Sequence, residues 1–295
     1  MTGALYYNMT NFPTNKGHVS YSEVRNWKEC PFRHKLLYID KLQTFDESPY
    51  LDYGTIVHEA CEHFLKTREL ILDETEVALR AAWEEKGFDS KEFIDGMTAR
   101  SSAQGWKYRH NKIDDWVDWA KNCITDLPDF MEKEFPGWET VAAEYPLMES
   151  VYRDDSMTYK GYIDAIIKCR DKKGNLKCYI IDWKTANARG WNSDKKRSFL
   201  TQAQIALYKN YWSRKLNVDP KDVYCGFVLL KRGAKPGRTC EFIKVSVGPK
   251  TQEKADKLVS SMISTVRRGF FPKNRGNACK FCDFKNTPHC PGDEL

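Results

Sequence analysis

The sequence predicts a mixed α/β fold, with a central mixed sheet and helices packed on it. Three observations carry this. Residues 140–148, 157–169 and 176–184 are β-rich, and Asp171 to Asn175 (DKKGN) joins the last two as a hairpin turn. A helical pattern at 198–215 is followed by strand patterns at 222–232 and 240–247, then a helix at 249–269. Ahead of them lies a long helix-rich stretch. Strands alternating with helices bury their apolar faces in a sheet that helices cover.

Ser20 and Glu23 have capping-box spacing, so a short helix should follow through Val24 and Trp27. Pro31 suits the first turn of a second helix reaching about Tyr38, which leaves Cys30 at the corner. In 54–68, Ile56, Val57, Ala60, Cys61, Phe64 and Leu65 fall on one helical stripe. Residues 73–135 read as a helical subdomain, and 274–295 as a loop rich in Cys, Pro and Asn. The chain is therefore expected to divide into an N-terminal helical region (1–138), a core (139–272) and a cysteine-bearing tail (273–295) that packs with Cys30.

Apolar residues make up 41% and charged residues 30% of the 295, as in an ordinary globular protein. Aromatic residues reach 13%, with nine Trp, enough that some rings should face a ligand. The net charge of +6 is compatible with nucleic acid but does not demand it. Lys195-Lys196-Arg197, Lys231-Arg232 and Arg267-Arg268 are the local clusters that could neutralise phosphates. The N-terminus has neither a basic start nor an apolar run, and no apolar stretch of about 18 residues occurs, so neither a leader nor a membrane span is expected. Ten cysteines in that context suggest a reducing, cytoplasmic setting where clustered thiols bind metal.

The strongest local signal is Gly161-Tyr-Ile-Asp164 followed by Ile180-Ile-Asp182-Trp-Lys184-Thr185. Asp182 and Lys184 stand two apart on a strand and share a face. They end an apolar strand, where charges are costly to bury without partners. Asp164, on the preceding strand of the hairpin, can lie beside Asp182. Two carboxylates and a lysine suit phosphodiester hydrolysis: hard oxygen ligands hold Mg²⁺ or Mn²⁺, and the lysine offsets developing charge. A salt-bridged surface hairpin would also carry a D-x-K; the apolar strand and Asp164 weigh against it. His58-Glu-Ala-Cys-Glu-His63 does not fit a zinc-protease helix, because His63 lies about 140° from His58. Cys279-Lys-Phe-Cys282 places two thiolates on one turn, and Cys290 follows. A fourth ligand is needed. Cys30 would make a four-thiolate site for [4Fe–4S] or zinc, and His289 would favour zinc. The other six cysteines read as small core residues.

Gly-x-x-Asp, then Asp-x-Lys-Thr, then Gln204-Ile-Ala-Leu-Tyr208 resembles the RecB-like branch of the PD-(D/E)XK nucleases. Gly54-Thr-Ile-Val-His58 resembles that branch's Gly-x-x-x-His helix. Ser20-Tyr-Ser22, Cys30-Pro31 and the three late cysteines resemble its iron–sulfur elements. The likeness runs from residue 20 to 290 and leaves 73–135 unmatched. Its nearest counterparts are CRISPR-associated RecB-like exonucleases, the AddB nuclease domain and stand-alone phage exonucleases.

The resemblance implies a restriction-endonuclease-like core and an Mg²⁺- or Mn²⁺-dependent DNA exonuclease. It would act on single-stranded ends, 5′ to 3′, in a bacterial or phage-infected cell, in repair or recombination. It implies that His58, Asp164, Asp182 and the Trp183 carbonyl hold the metal and that Lys184 assists catalysis. Gln204 and Tyr208 would position the backbone or the lysine, and Glu144 matches an acidic position more loosely. Cys30, Cys279, Cys282 and Cys290 would hold a [4Fe–4S] cluster, with structural Zn²⁺ as the alternative. Asp182 stands where a Glu is commoner, and the Cys282–Cys290 spacing is one or two residues longer than the resemblance leads one to expect. With no helicase P-loop in the chain, unwinding would fall to a helicase or recombination partner. The alternative function is a non-catalytic or partner-dependent DNA adaptor in recombination or CRISPR spacer acquisition.

Overall fold

In the computed structural model the described residues are 12–42, 48–103, 105, 107–171 and 173–291. The N-terminal residues 1–11, Lys172 of the hairpin turn and the tail's residues 292–295 lie outside them.

Strand β1 (His18–Ser20) leads into helix α1 (Tyr21–Glu29). Ser20 caps it as the spacing predicts, its hydroxyl accepting from the Glu23 N–H at 3.3 Å. The Glu23 carboxylate is buried, 3.0 Å from His34 Nε2. Cys30 closes α1 and opens α2 (Pro31–His34), which continues as a π turn over Lys35–Ile39. Helix α3 (Pro49–Thr67) buries Val57, Ala60, Cys61, Phe64 and Leu65 along the predicted stripe, with Tyr53 in addition. The predicted helical subdomain is α4 (Leu72–Lys86), α5 (Lys91–Ala103) and α6 (Ile113–Glu134). Then come β2 (Glu139–Val151), β3 (Asp154–Arg170) and β4 (Leu176–Asn187). A five-residue helix not foreseen from sequence, α7 (Ser193–Arg197), precedes α8 (Phe199–Leu216), β5 (Val223–Arg232), β6 (Cys240–Val245) and α9 (Pro249–Arg267). The tail contains one 3₁₀ turn, Asn277–Phe281.

The chain divides into two compact units, Glu47–Tyr145 with Tyr162–Gly248, and Met1–Asp46 with Pro146–Gly161 and Pro249–Leu295. They interleave the segments 1–138, 139–272 and 273–295 read from the sequence.

In the larger unit the sheet order is β3-β4-β5-β6. Strands β3 and β4 are antiparallel, with Ala165 opposite Ile181. Strands β4 and β5 are parallel, with Asp182 opposite Phe227, and β5 and β6 are antiparallel. A parallel pair needs a crossover, and α8 supplies it. The two-residue period sorts the faces. Ala165, Ile167, Ile181, Trp183, Val228 and Leu230 enter one core with residues of α3, α4 and α6, among them Tyr53, Val57, Trp83, Trp116 and Leu127. Helix α8 packs on β4 and β5 and buries Ala203, Ile205, Ala206 and Leu207 completely. Most of the Trp count is core: Trp83, Trp116, Trp138, Trp183, Trp191 and Trp212 are all buried.

In the smaller unit β1 runs parallel to the start of β3, with His18 opposite Thr158 and Ser20 opposite Lys160. Helix α9 buries Ala255, Leu258, Val259, Met262, Ile263 and Val266 and packs against α1. His34 stacks on Tyr38, with ring centroids 5.0 Å apart. Among the described residues no helix is long and apolar enough to cross a membrane.

Candidate active site

The apolar run Tyr179–Ile181 carries β4 through the larger unit, and the polar residues begin where it ends. Alternation sends Trp183 into the helix-covered core and leaves Asp182 and Lys184 together on the opposite face. Asp182 is only 1% exposed. Lys184 Nζ stands 2.6 Å from Asp182 Oδ2, which gives this buried carboxylate its cation. The β3–β4 ladder has its last register pair at Ala165–Ile181. One residue on, Asp164 stands beside the Asp182–Trp183 step, and its Oδ2 accepts the Trp183 N–H at 2.7 Å. Helix α3 brings His58 in, with Nδ1 3.7 Å from the same Asp164 oxygen. That is beyond hydrogen-bond length, so the two groups flank a common space without bonding.

Electrostatics agree with the placement. Burial, helped by the Lys184 cation, lowers the His58 pKa to about 3, so the imidazole is neutral. Burial and then the Asp182 charge push the Asp164 pKa well up. Burial also raises Asp182, against the pull of Lys184. Glu144 on β2 is raised by burial and then by Glu62 and Asp182. Its φ of +50° is a left-handed backbone that few non-glycine residues adopt, a strain that often collects at functional sites. From α8, Gln204 Nε2 donates to Tyr208 Oη at 3.1 Å. Burial and then Asp182 hold the Tyr208 hydroxyl protonated.

His58, Glu144, Asp164, Asp182, Lys184, Gln204 and Tyr208 thus lie in one neighbourhood; they are the residues that the resemblance implies. Hard carboxylate oxygens, one neutral imidazole nitrogen and mutually repelling acids make a donor set that a divalent cation fits. Among the described residues no three His, Cys, Asp or Glu side chains form a ready-made metal cage; Asp182 is turned to Lys184.

Gly54, one turn before His58, has an ordinary helical backbone. Among the described residues a Cβ there would meet only Thr185 Oγ1, at an unstrained 3.7 Å. Glycine inside a helix costs about 0.5–1 kcal/mol relative to alanine, and internal packing does not require it here.

The sequence reading passed over Glu62. It stands four residues after His58, on the same face of α3, and its charge reaches Glu144. Several cations of the basic clusters that could neutralise phosphates have partners within the fold. Lys196 and Lys231 both pair with Glu241, at 2.6 and 3.5 Å. The Arg232 guanidinium lies 4.5 Å from the Tyr50 ring centre and 5.0 Å from that of Trp116. Arg267 is paired with Asp154 at 2.7 Å.

In the smaller unit Cys30, Cys279, Cys282 and Cys290 line one cavity of about 380 Å³, and none is in a disulfide. Asn274 joins two of them. Its N–H donates to Cys30 Sγ at 3.4 Å, and its carbonyl accepts from Cys279 Sγ at 3.3 Å. Arg33, Lys273, Arg275 and Lys285 share the lining, and burial raises the Cys282 thiol pKa. His289 is not among the lining residues; its ring lies 6.4 Å from that of Phe284.

Residues 18–290 match the PD-(D/E)XK nuclease superfamily. The chain belongs to that superfamily. A PD-(D/E)XK core is a mixed sheet flanked by helices, and this chain has that restriction-endonuclease-like fold. A crystal structure from Eubacterium rectale, designated a "Putative exonuclease", aligns over 96% of this chain and 93% of its own. Its TM-score is 0.51 and its identity 12%, a likeness of fold. A second solved structure, SSO0001, aligns over 92% of this chain and 84% of its own at 13% identity, with a TM-score of 0.36. No curated protein matches the chain. PD-(D/E)XK nucleases generally use Mg²⁺ or Mn²⁺, and the family implies DNA as the substrate.

Proposed function

We propose that the chain is an Mg²⁺- or Mn²⁺-dependent deoxyribonuclease that trims DNA from single-stranded ends, 5′ to 3′. The observation that carries the nuclease reading is the convergence of His58, Asp164, Asp182 and Lys184 in one partly buried place; the single-strand preference and the polarity rest on the resemblance. His58, Asp164, Asp182 and the Trp183 carbonyl would hold the ion. A divalent ion there supplies Lewis acidity, lowering the pKa of a water and offsetting phosphate charge. Lys184 has the reach to orient that water or to neutralise the charge that builds on the phosphate. Tyr208 keeps its proton, so with Gln204 it can donate hydrogen bonds to the DNA backbone or brace the lysine. Glu144 and Glu62 add negative charge beside the acids, which favours a bound cation. No step uses a covalent enzyme intermediate.

The four cysteines around one cavity, with His289 outside its lining, support a four-thiolate site; the preference for a [4Fe–4S] cluster over a four-cysteine zinc rests on the resemblance. The cluster's task would be structural, within a cytoplasmic enzyme that relies on a helicase or recombination partner to open duplexes.

The test is digestion of end-labelled and circular DNA, single- and double-stranded, with Mn²⁺. Wild type should shorten linear single strands from the 5′ end. Asp182→Ala and Lys184→Ala should each lose activity by about 10²-fold or more, the range for removing one group that stabilises a transition state. Equal digestion by all three proteins would contradict the assignment.

A further inference from the structure

Tyr50, Gly54 and His58 are spaced by four along α3, so they follow one flank of the helix and drift by about 80° over the two intervals. His58 stands at Asp164, and Gly54 faces Thr185 at the end of β4. Tyr50 lies farther along, by the end of β5: its ring is near the Arg232 guanidinium, and Arg232 is the register partner of Asn187. The flank therefore runs from the acids past Thr185 to the ends of the two parallel strands, about 12 Å in all.

Tyr50 is braced by two neighbours and remains partly exposed. The edge of Trp116 meets it at 5.2 Å, and Arg232 lies 4.5 Å from its centre. The residue is still 39% exposed. A single exposed ring needs no explanation by itself. The glycine between Tyr50 and His58 does. Among the described residues nothing in the packing or backbone of α3 calls for it, and the chain forgoes the better helix former. An absent side chain that the fold does not need is explained by something else passing close to the backbone.

We propose that this flank is the track of the DNA single strand entering the reaction site, with Tyr50 stacking on an unpaired base and Gly54 leaving room for the strand between ring and acids. The inference rests on the nuclease reading. Twelve ångströms is about three or four stacked nucleotide steps at about 3.4 Å each. The stacked base then lies a few nucleotides from the phosphate that reacts. Aromatic stacking suits this role because it accepts any base. Arg232 and Trp116 keep the ring from folding away.

The experiment measures the fluorescence anisotropy of a labelled 12-nucleotide oligo(dT) in EDTA, where binding is read without turnover. It is paired with thermal unfolding and with Mn²⁺ digestion rates. Tyr50→Leu should weaken binding roughly 5- to 150-fold, the cost of one lost stack, and Tyr50→Phe should bind as wild type. Gly54→Ala should unfold at a higher temperature than wild type and yet bind and digest less well. A purely structural glycine would give the opposite: lower stability, with binding kept in the folded fraction. The track is overturned if Tyr50→Leu binds like wild type, if both variants weaken blunt duplex binding as much as single-strand binding, or if wild type does not bind the oligonucleotide. Wild-type digestion together with unchanged binding in Tyr50→Leu sinks the track alone. Absence of digestion by wild type sinks the nuclease reading as well.

Discussion

Asp164 shows how a single residue can be held against its own stability. It is partly buried beside a second carboxylate, and its pKa stands well above that of a free aspartate. A carboxyl raised on folding costs nothing below its unfolded pKa, near 3.8, and costs progressively more as pH rises through its folded value. Asp164→Asn keeps an acceptor for the Trp183 N–H and removes the charge. In EDTA at pH 8 it should stabilise the protein by about 0.5–2 kcal/mol in thermal melts, with the gain shrinking toward pH 4. With Mn²⁺ present the order should reverse, because wild type alone gains the ion. No gain at pH 8 would mean that Asp164 is not under strain. His58 has the opposite sign. Its depressed pKa gives stability that is complete above pH 6.5 and is lost as pH falls toward about 3.

At the scale of elements, Gly226 fixes how β5 meets β6. A Cβ there would overlap the Phe242 ring and stand 2.7 Å from the Ile243 carbonyl oxygen, which is backbone and has little room to move. Gly226→Ala should therefore destabilise by about 1–3 kcal/mol, read as a lower denaturant midpoint. A neutral result would show that the β5–β6 pairing is looser than drawn. The elements themselves were largely legible. The 3.6-residue stripe of α3 and the apolar run before Asp182 are strong local patterns, and the strands at β3 and β4 extend the predicted spans by only a few residues. What escaped was either short or long-range. Strand β1 and helix α7 are three and five residues, too few for a period to declare itself. Glu62 lies at the right helical spacing from His58, but a lone acid on a helix declares no role by itself. The partners of the basic clusters were not legible because they are remote in sequence: Glu241 for Lys196 and Lys231, and Tyr50 and Trp116 for Arg232. The acids and the paired cysteines were legible because charge on an apolar strand and C-x-x-C spacing are local signals.

At the scale of the whole molecule, the acids sit in one compact unit and the four cysteines in the other. If the cysteines hold a cluster, Cys279→Ser should abolish the brown colour of the purified protein and lower its thermal midpoint. The same substitution in a protein whose metal proves to be zinc would change stability and leave no colour to lose. A variant that keeps its colour and its midpoint would remove Cys279 from the ligand set.

The interleaving of the units bears on how the protein could be dissected. Strands β2 and β3 each begin in one unit and end in the other, and neither unit is a continuous stretch of chain. No stop codon or protease nick can release the acid-bearing half as a free-standing fragment. Isolating it would take excision of three pieces and a new splice between Tyr145 and Tyr162.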